Sequence, residues 1–368
     1  MKIGYFTTDW QKTPTGVPGQ VQMSYGGTYY YRGALPAIEL GKHGYETILS
    51  WNFRTHEDGH IEVMDTQGEW HAPDIFWSQR WMHKDGPEQM RRARAAGQTV
   101  IADLDDDFWS LGSTNVAFHT TDPKNNPDFN REHYKQMLKA CDAVTVSTEA
   151  LRKRVESFGV PAFVVRNAID CSIWPQNDPT TDGYIGWVGG IQWRAHDLEV
   201  LAQFLPKFLK DYDLPVYHGG DSQVPGVPKF WQKVGIDPSQ TPVAMAPLCS
   251  IAEYQRLWAP INVSLIPLEK VAFNQAKSWL KQLESCAAGV PYIVSAGFDE
   301  QDLLVAESQF GRVAHNKRPS EWLNHLEAIL DPSLRKVEGA ANRKVAEAHD
   351  ITLKWTDWDA AYKEIVAL

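Results

Sequence analysis

At 368 residues the chain is long enough for two to three domains, each able to bury its own core. A hydrophobic share of 43% against 22% charged residues excludes a disordered chain, and the absence of any run of about 18 apolar residues argues against a membrane span. The net charge of −10 disfavours broad attraction to nucleic acid and leaves only a local basic groove for it.

Lys2 to Thr7 reads as a short opening strand. A polar loop over 11–27 ends in Tyr25-Gly26-Gly27-Thr28, a helix follows with Leu35, Ile38 and Leu40 on its apolar side, and 46–51 is again a strand. Strand, glycine-rich turn, helix, strand is the βαβ unit of a parallel sheet. The alternation continues with strands at 74–78, 99–104, 143–147 and 162–166 and helices at 88–96, 132–140 and 148–158; Thr148 is the N-cap and Gly159 the stop of the last. From 167 to 183, prolines and Asp/Asn without periodicity read as a linker. Alternation then restarts: strands at 184–188, 214–218, 243–247, 261–266 and 292–295, helices at 196–210, 251–258, 301–309 and 320–330. Between 273 and 288 a helix puts Leu280, Leu283 and Ala287 on one face and Lys277, Lys281 and Glu284 on another, and Gly289 stops it. The tail, 341–368, reads as a helix with Trp355, Trp358 and Tyr362 on one face. The expected division is residues 1–170, a linker at 171–182, a second domain at 183–340, and a C-terminal helix at 341–368 that packs back on the first domain.

Cys141, Cys171, Cys249 and Cys286 lack metal or disulfide spacing, and the opening MKIGYFTTDW has neither a long apolar segment nor a small-residue cleavage site. The expectation is a reduced, cytoplasmic setting. The clusters Arg91, Arg92, Arg94 and Arg152, Lys153, Arg154 lie on predicted helices and read as solvated faces.

Strand 184–188 opens into Gly189-Gly190, then Arg194 and His196 at a helix start. Small residues before a helix N-terminus, at the carboxyl edge of a parallel sheet, form a seat for an anion; a plain βα turn explains the same pattern. Lys277, from another βα junction, is expected at the same spot, and two cations with two helix ends suit a diphosphate. Glu284 offers its carboxylate to a sugar diol, against the competing reading of a solvated charged face; Lys281 reads as a surface charge. In the run Ile101 to Trp109, Asp103, Asp105, Asp106 and Asp107 follow a strand, where they hold a divalent metal, meet an acceptor hydroxyl or cap a turn.

The GWVGG turn with Arg194, and the segment KSWLKQLESCAAGVPYIVS, resemble the donor-binding domain of retaining GT-B glycosyltransferases. The resemblance implies an α/β chain of two Rossmann-like domains facing each other across a cleft, with the C-terminal helix crossing back. It implies transfer of a sugar from a nucleotide-diphosphate donor, a UDP- or GDP-sugar, to a hydroxyl acceptor with retention and no obligatory metal. Carried onto this chain, Glu284 matches the glutamate that holds the ribose hydroxyls, and Arg194 and Lys277 match the basic pair on the diphosphate. Asn274 and Ser278 flank the donor, Gly26 and Gly27 match an N-terminal loop near its phosphate, and His119 lies in the region of a histidine near the transferred sugar. Arg194, Lys277 and His119 are the expected catalytic set, and Asp105, Asp106 and Asp107 the acceptor-side candidates. The family's other glutamate, eight positions before Glu284, is Ala276 here. Two alternatives stay open: a metal-dependent GT-A-like transferase using Asp103 and Asp105, and a nucleotide-sugar-binding protein without catalysis. The acceptor is a modified DNA base, a protein hydroxyl or a polysaccharide. The Asp-rich run resembles that of bacterial and phage members, which places a phage-encoded version in the host cytoplasm.

Overall fold

In the computed structural model, residues 1–14, 21–178, 180–181, 183–222 and 225–368 are described. They divide into two units: 1–168 with 276–278 and 351–368, and 169–275 with 279–350.

The first unit is built on six parallel strands. Lys2–Thr7 pairs with Glu46–Ser50 on one side and Ile75–Gln79 on the other; Thr99–Leu104, Ala143–Val146 and Ala162–Val164 extend the second side. KIGYFT and IFWSQ are buried along nearly their whole length, as strands covered on both faces must be. Asn130 and Thr148 cap the helices Arg131–Ala140 and Glu149–Glu156 through their side-chain oxygens.

Two expectations need correction in this unit. The loop over 11–27 contains an antiparallel hairpin, Trp10–Pro14 with Val21–Tyr25; residues 15–20 of that stretch lie outside the described residues. The following helix runs Gly27–Tyr29, then a π-turn at Tyr30–Ala34, then Leu35–Lys42. Leu35 and Leu40 are buried as expected, with Ala34 and Ala37 beside them, but Ile38 is 48% exposed and is not a core residue. Beyond these, the unit carries a short antiparallel meander, Phe53–Thr55, Ile61–Met64 and Trp70–His71, that the sequence pattern does not announce.

The second unit is also built on six parallel strands, in a different order: two strands lie on one side of its first strand and three on the other, against one and four in the first unit. Tyr184–Val188 lies between Val216–Asp221, flanked by Val243–Pro247, and Ile261–Ile266, followed by Tyr292–Ser295 and Arg312–Ala314. In both units the chain starts in a central strand, fills one side, then returns to fill the other. The crevice beside that strand's carboxyl end is where such sheets take ligands.

The helix expected over 196–210 is two, Ala195–Ala202 and Leu205–Asp211, the second begun with Pro206 in its first turn. The helix expected over 251–258 is only the tight turn Tyr254–Trp258. The helix expected from 273 is interrupted: Ala272–Gln275 and Leu280–Ala287 are separate, and residues 276–278 between them group with the first unit. The tail also breaks, into Pro332–Ala348 of the second unit and Ile351–Val366 of the first. At the break the Asp350 carboxylate accepts the Cys171 amide at 2.8 Å, and the His349 carbonyl accepts the Ile169 amide at 3.2 Å. Within the first unit, Trp358 and Tyr362 are buried beside Tyr5 and Trp77, and Trp355 stacks on His43 with ring centroids 3.8 Å apart. Among the described residues no helix is long and apolar enough to cross a membrane.

Candidate functional site

At the switch point of the second unit, the strand Tyr184–Val188 ends in Gly189-Gly190, and Arg194 stands immediately before the helix Ala195–Ala202. Asp197, in the first turn of that helix, gathers the neighbouring loop. Its Oδ1 accepts the Glu269 amide at 2.7 Å and the Asn274 side-chain amide at 2.7 Å, and its Oδ2 lies 3.7 Å from the Arg194 guanidinium. Asn274 is thus a buried brace between Asp197 and the Glu269 carbonyl. His196 points outward, 40% exposed, and pairs with Glu199.

Behind the glycine turn sits a histidine that the sequence did not single out. The His218 imidazole is fully buried between Trp187 and Phe230, with ring centroids 5.1 and 5.4 Å away. Its Nε2 donates to the Gly189 carbonyl at 2.9 Å, and burial holds its pKa below the ordinary value, so the ring stays neutral. Gly220, at φ +101°, passes so close that a Cβ there would lie 3.0 Å from the Gly189 oxygen. The turn is therefore held from behind by a ring and a bare backbone.

The helix Leu280–Ala287 brings Lys281 and Glu284 to the same neighbourhood. Glu284 is 1% exposed, which overturns the solvated-face reading. Its Oε2 accepts the Lys281 ammonium at 2.9 Å and the Tyr254 hydroxyl at 2.9 Å, and Lys281 also donates to that hydroxyl. Burial pulls the Lys281 pKa down against the pull of Glu284, and Arg194 is close enough to lower it further. The cation beside Arg194 and Glu284 is thus Lys281, read from sequence as a mere surface charge.

Lys277 and Ser278 belong to the first unit. The Lys277 ammonium pairs with Asp106, and the Ser278 hydroxyl accepts from the Asn167 side-chain amide at 2.9 Å. Ala276 is buried, its carbonyl accepting the Thr148 hydroxyl at 3.1 Å. Also in this unit, the Gly26 amide donates to the Asp9 carbonyl at 2.7 Å, and Gly27 starts a helix. His119 lies on the short helix Val116–Thr121, not in a loop, with its ring against Phe118 and near the Asn125 amide.

The acidic run divides by function. Asp103 is fully buried, its carboxylate accepting from the Arg32 guanidinium at 2.7 Å, Thr145 at 2.8 Å and Gln79 at 3.2 Å. That commitment does not suit the metal-ligand role the GT-A alternative required of it. Asp107 caps the turn Phe108–Ser110 and pairs with Arg154 at 3.0 Å. Asp105 and Asp106 share the Arg80 guanidinium at 3.1 and 3.3 Å. Burial pushes the Asp105 carboxyl up to about 6, against the opposing charge of Arg80. Arg80 itself sits at φ +56°, a conformation costly for any residue with a Cβ.

Two six-stranded parallel sheets, each doubly wound, make the fold the two-domain Rossmann-like arrangement called GT-B. Solved structures of this kind include a sucrose-phosphate synthase from Thermosynechococcus elongatus, 12% identical, TM-score 0.60, covering 100% of this chain and 99% of that one. They also include Anabaena HepE in complex with UDP-glucose, 12% identical, TM-score 0.61, covering 99% and 100%. A glycosyltransferase from Rickettsia africae is 14% identical, TM-score 0.61, covering 99% and 98%. No family model and no curated protein sequence matches the chain.

Proposed function

We propose that the chain is a glycosyltransferase that binds a nucleotide-diphosphate sugar, of which a UDP-sugar is the best-supported donor, and transfers the sugar to a hydroxyl acceptor with retention. The observation that carries this reading is the grouping of Arg194, Lys281 and buried Glu284 at the switch point of a doubly wound sheet. The HepE structure, solved with UDP-glucose on the same fold, supports the choice of nucleotide.

On this reading Glu284 accepts hydrogen bonds from the ribose diol. The Gly189-Gly190 backbone approaches the diphosphate, and Arg194 and Lys281 stabilise the charge that grows on it. The anomeric C–O bond to the diphosphate breaks, the acceptor oxygen bonds to that carbon, and the hydroxyl proton leaves with the diphosphate. Cations fixed in place before reaction stabilise the departing charge without reorganising, usually the largest catalytic contribution. Lys277, His119, Asp105 and Asp106 are the proposed sugar- and acceptor-side groups. The N-terminal unit, residues 1–170 in the expected division, would then serve the acceptor, and residues 183–340 the donor.

The test is a thermal-shift and calorimetry screen with UDP, UDP-sugars and GDP-sugars, followed by an assay for slow donor hydrolysis. Binding of UDP and release of UDP from one UDP-sugar are the expected results. Binding of none would overturn the reading, and binding without hydrolysis or transfer would give a binding protein instead, in keeping with Ala276.

A further inference from the structure

The sequence-local part of the Glu284 site is an ordinary Lys–Glu pair three residues apart on a helix. On an exposed surface such a pair is worth only a few tenths of a kcal/mol. Here the carboxylate is buried, and its Oε2 takes a second donor from another element, the hydroxyl of Tyr254 at the start of the turn Tyr254–Trp258. Tyr254 is itself fixed. Trp174 packs edge-on against its ring, centroids 6.3 Å apart at 82°, and the Lys281 ammonium lies over the ring at 5.0 Å. Burial, with the Glu284 charge, holds its phenol far above the ordinary pKa, so the hydroxyl remains a donor at any working pH.

We propose that Tyr254 is a positioning residue that sets the preference of this site for a ribose over a 2′-deoxyribose. The inference rests on the reading of Glu284 as the ribose ligand. A carboxylate meets two vicinal hydroxyls well only in one orientation of its plane. The Tyr254 hydroxyl and the Lys281 ammonium, both on Oε2, fix that plane from two directions. With one donor gone, the carboxylate rotates to recover a hydrogen bond, and its match to a diol is lost. A nucleotide lacking the 2′-hydroxyl brings only its 3′-hydroxyl to the carboxylate and is less sensitive to the change.

The test is isothermal calorimetry of the full chain with UDP and with 2′-deoxy-UDP, comparing wild type with Tyr254→Phe, which keeps the ring and removes the hydroxyl. Wild type is expected to favour UDP by about tenfold or more, the worth of one hydrogen bond to a charged group. Tyr254→Phe is expected to lose most of that preference by weakening UDP more than 2′-deoxy-UDP. Tyr254→Met, which also lacks the hydroxyl, is the second variant should Tyr254→Phe prove too unstable to purify, and it is expected to narrow the same ratio. An unchanged ratio in a folded variant, or equal weakening of both nucleotides, would make Tyr254 a purely structural partner and overturn the proposal. If wild type binds neither nucleotide, the site reading itself falls, an outcome distinct from binding without discrimination by Tyr254.

Discussion

Asp103 of the first unit and Glu284 of the second are both carboxylates removed from water, yet their partners differ. The cation on Asp103, Arg32, is itself 1% exposed, and the other groups on it, Thr145 and Gln79, are equally sealed. The cation on Glu284, Lys281, keeps 28% of its side chain open. A buried charge whose counter-charge is also buried can exchange with nothing, so it holds elements together. One whose partner reaches solvent can trade that partner for a ligand. On the proposed reading, the exposure of the cation separates a structural clamp from a binding seat.

The clamp gives the largest expected effect. Arg32→Ala leaves Asp103 charged and buried without its partner, a loss of about 3–5 kcal/mol of stability measured by urea unfolding. The seat predicts the opposite balance. Arg194→Ala should lower transfer or donor hydrolysis by about 10²–10³-fold while the melting temperature stays within a few degrees. A variant of Arg194 that is strongly destabilised, or one of Arg32 that is not, would erase the contrast between the two regions. Lys277→Ala sharpens it: loss of turnover with UDP affinity retained would assign Lys277 to the sugar or acceptor side. His218→Phe fills the same slot between Trp187 and Phe230 but cannot donate to Gly189. It is expected to weaken UDP binding about tenfold, read by calorimetry, with the fold intact.

The same contrast marks what was legible in the chain. Eleven of the twelve strands of the two parallel sheets, all but Arg312–Ala314, followed from apolar runs and glycine stops, because local chemistry sets them; their order in the sheets did not. The positions of Arg194 and Glu284 were readable because each sits on its own helix start or helix face next to a recognisable turn. Tyr254 was not, since it stands 30 residues before its partner, and neither was the Arg32–Asp103 pair, 71 residues apart. Lys277 and Lys281 look interchangeable in sequence. They differ because the helix breaks between Gln275 and Leu280, sending Lys277 to Asp106 and leaving Lys281 with Glu284. No proline or glycine occupies residues 276–279 to announce that break.

Asp105 offers the smallest effect and the one whose sign is most informative. Burial raises its carboxyl from 3.8 to about 6 in the folded chain, although Arg80 opposes the shift. A carboxyl raised in this way favours folding while it is protonated, so its contribution is complete below about pH 4 and is lost as the pH rises through about 6. Asp105→Asn cannot ionise and therefore lacks this loss. The urea midpoints of wild type and variant, compared at pH 4, 5, 6 and 7, should diverge in favour of the variant as the pH climbs through that window. Divergence in favour of wild type would mean that Arg80 outweighs desolvation and that Asp105 is ionised throughout. In that case Asp105 would act as a second clamp like Asp103, not as a group that takes up and releases a proton near neutrality.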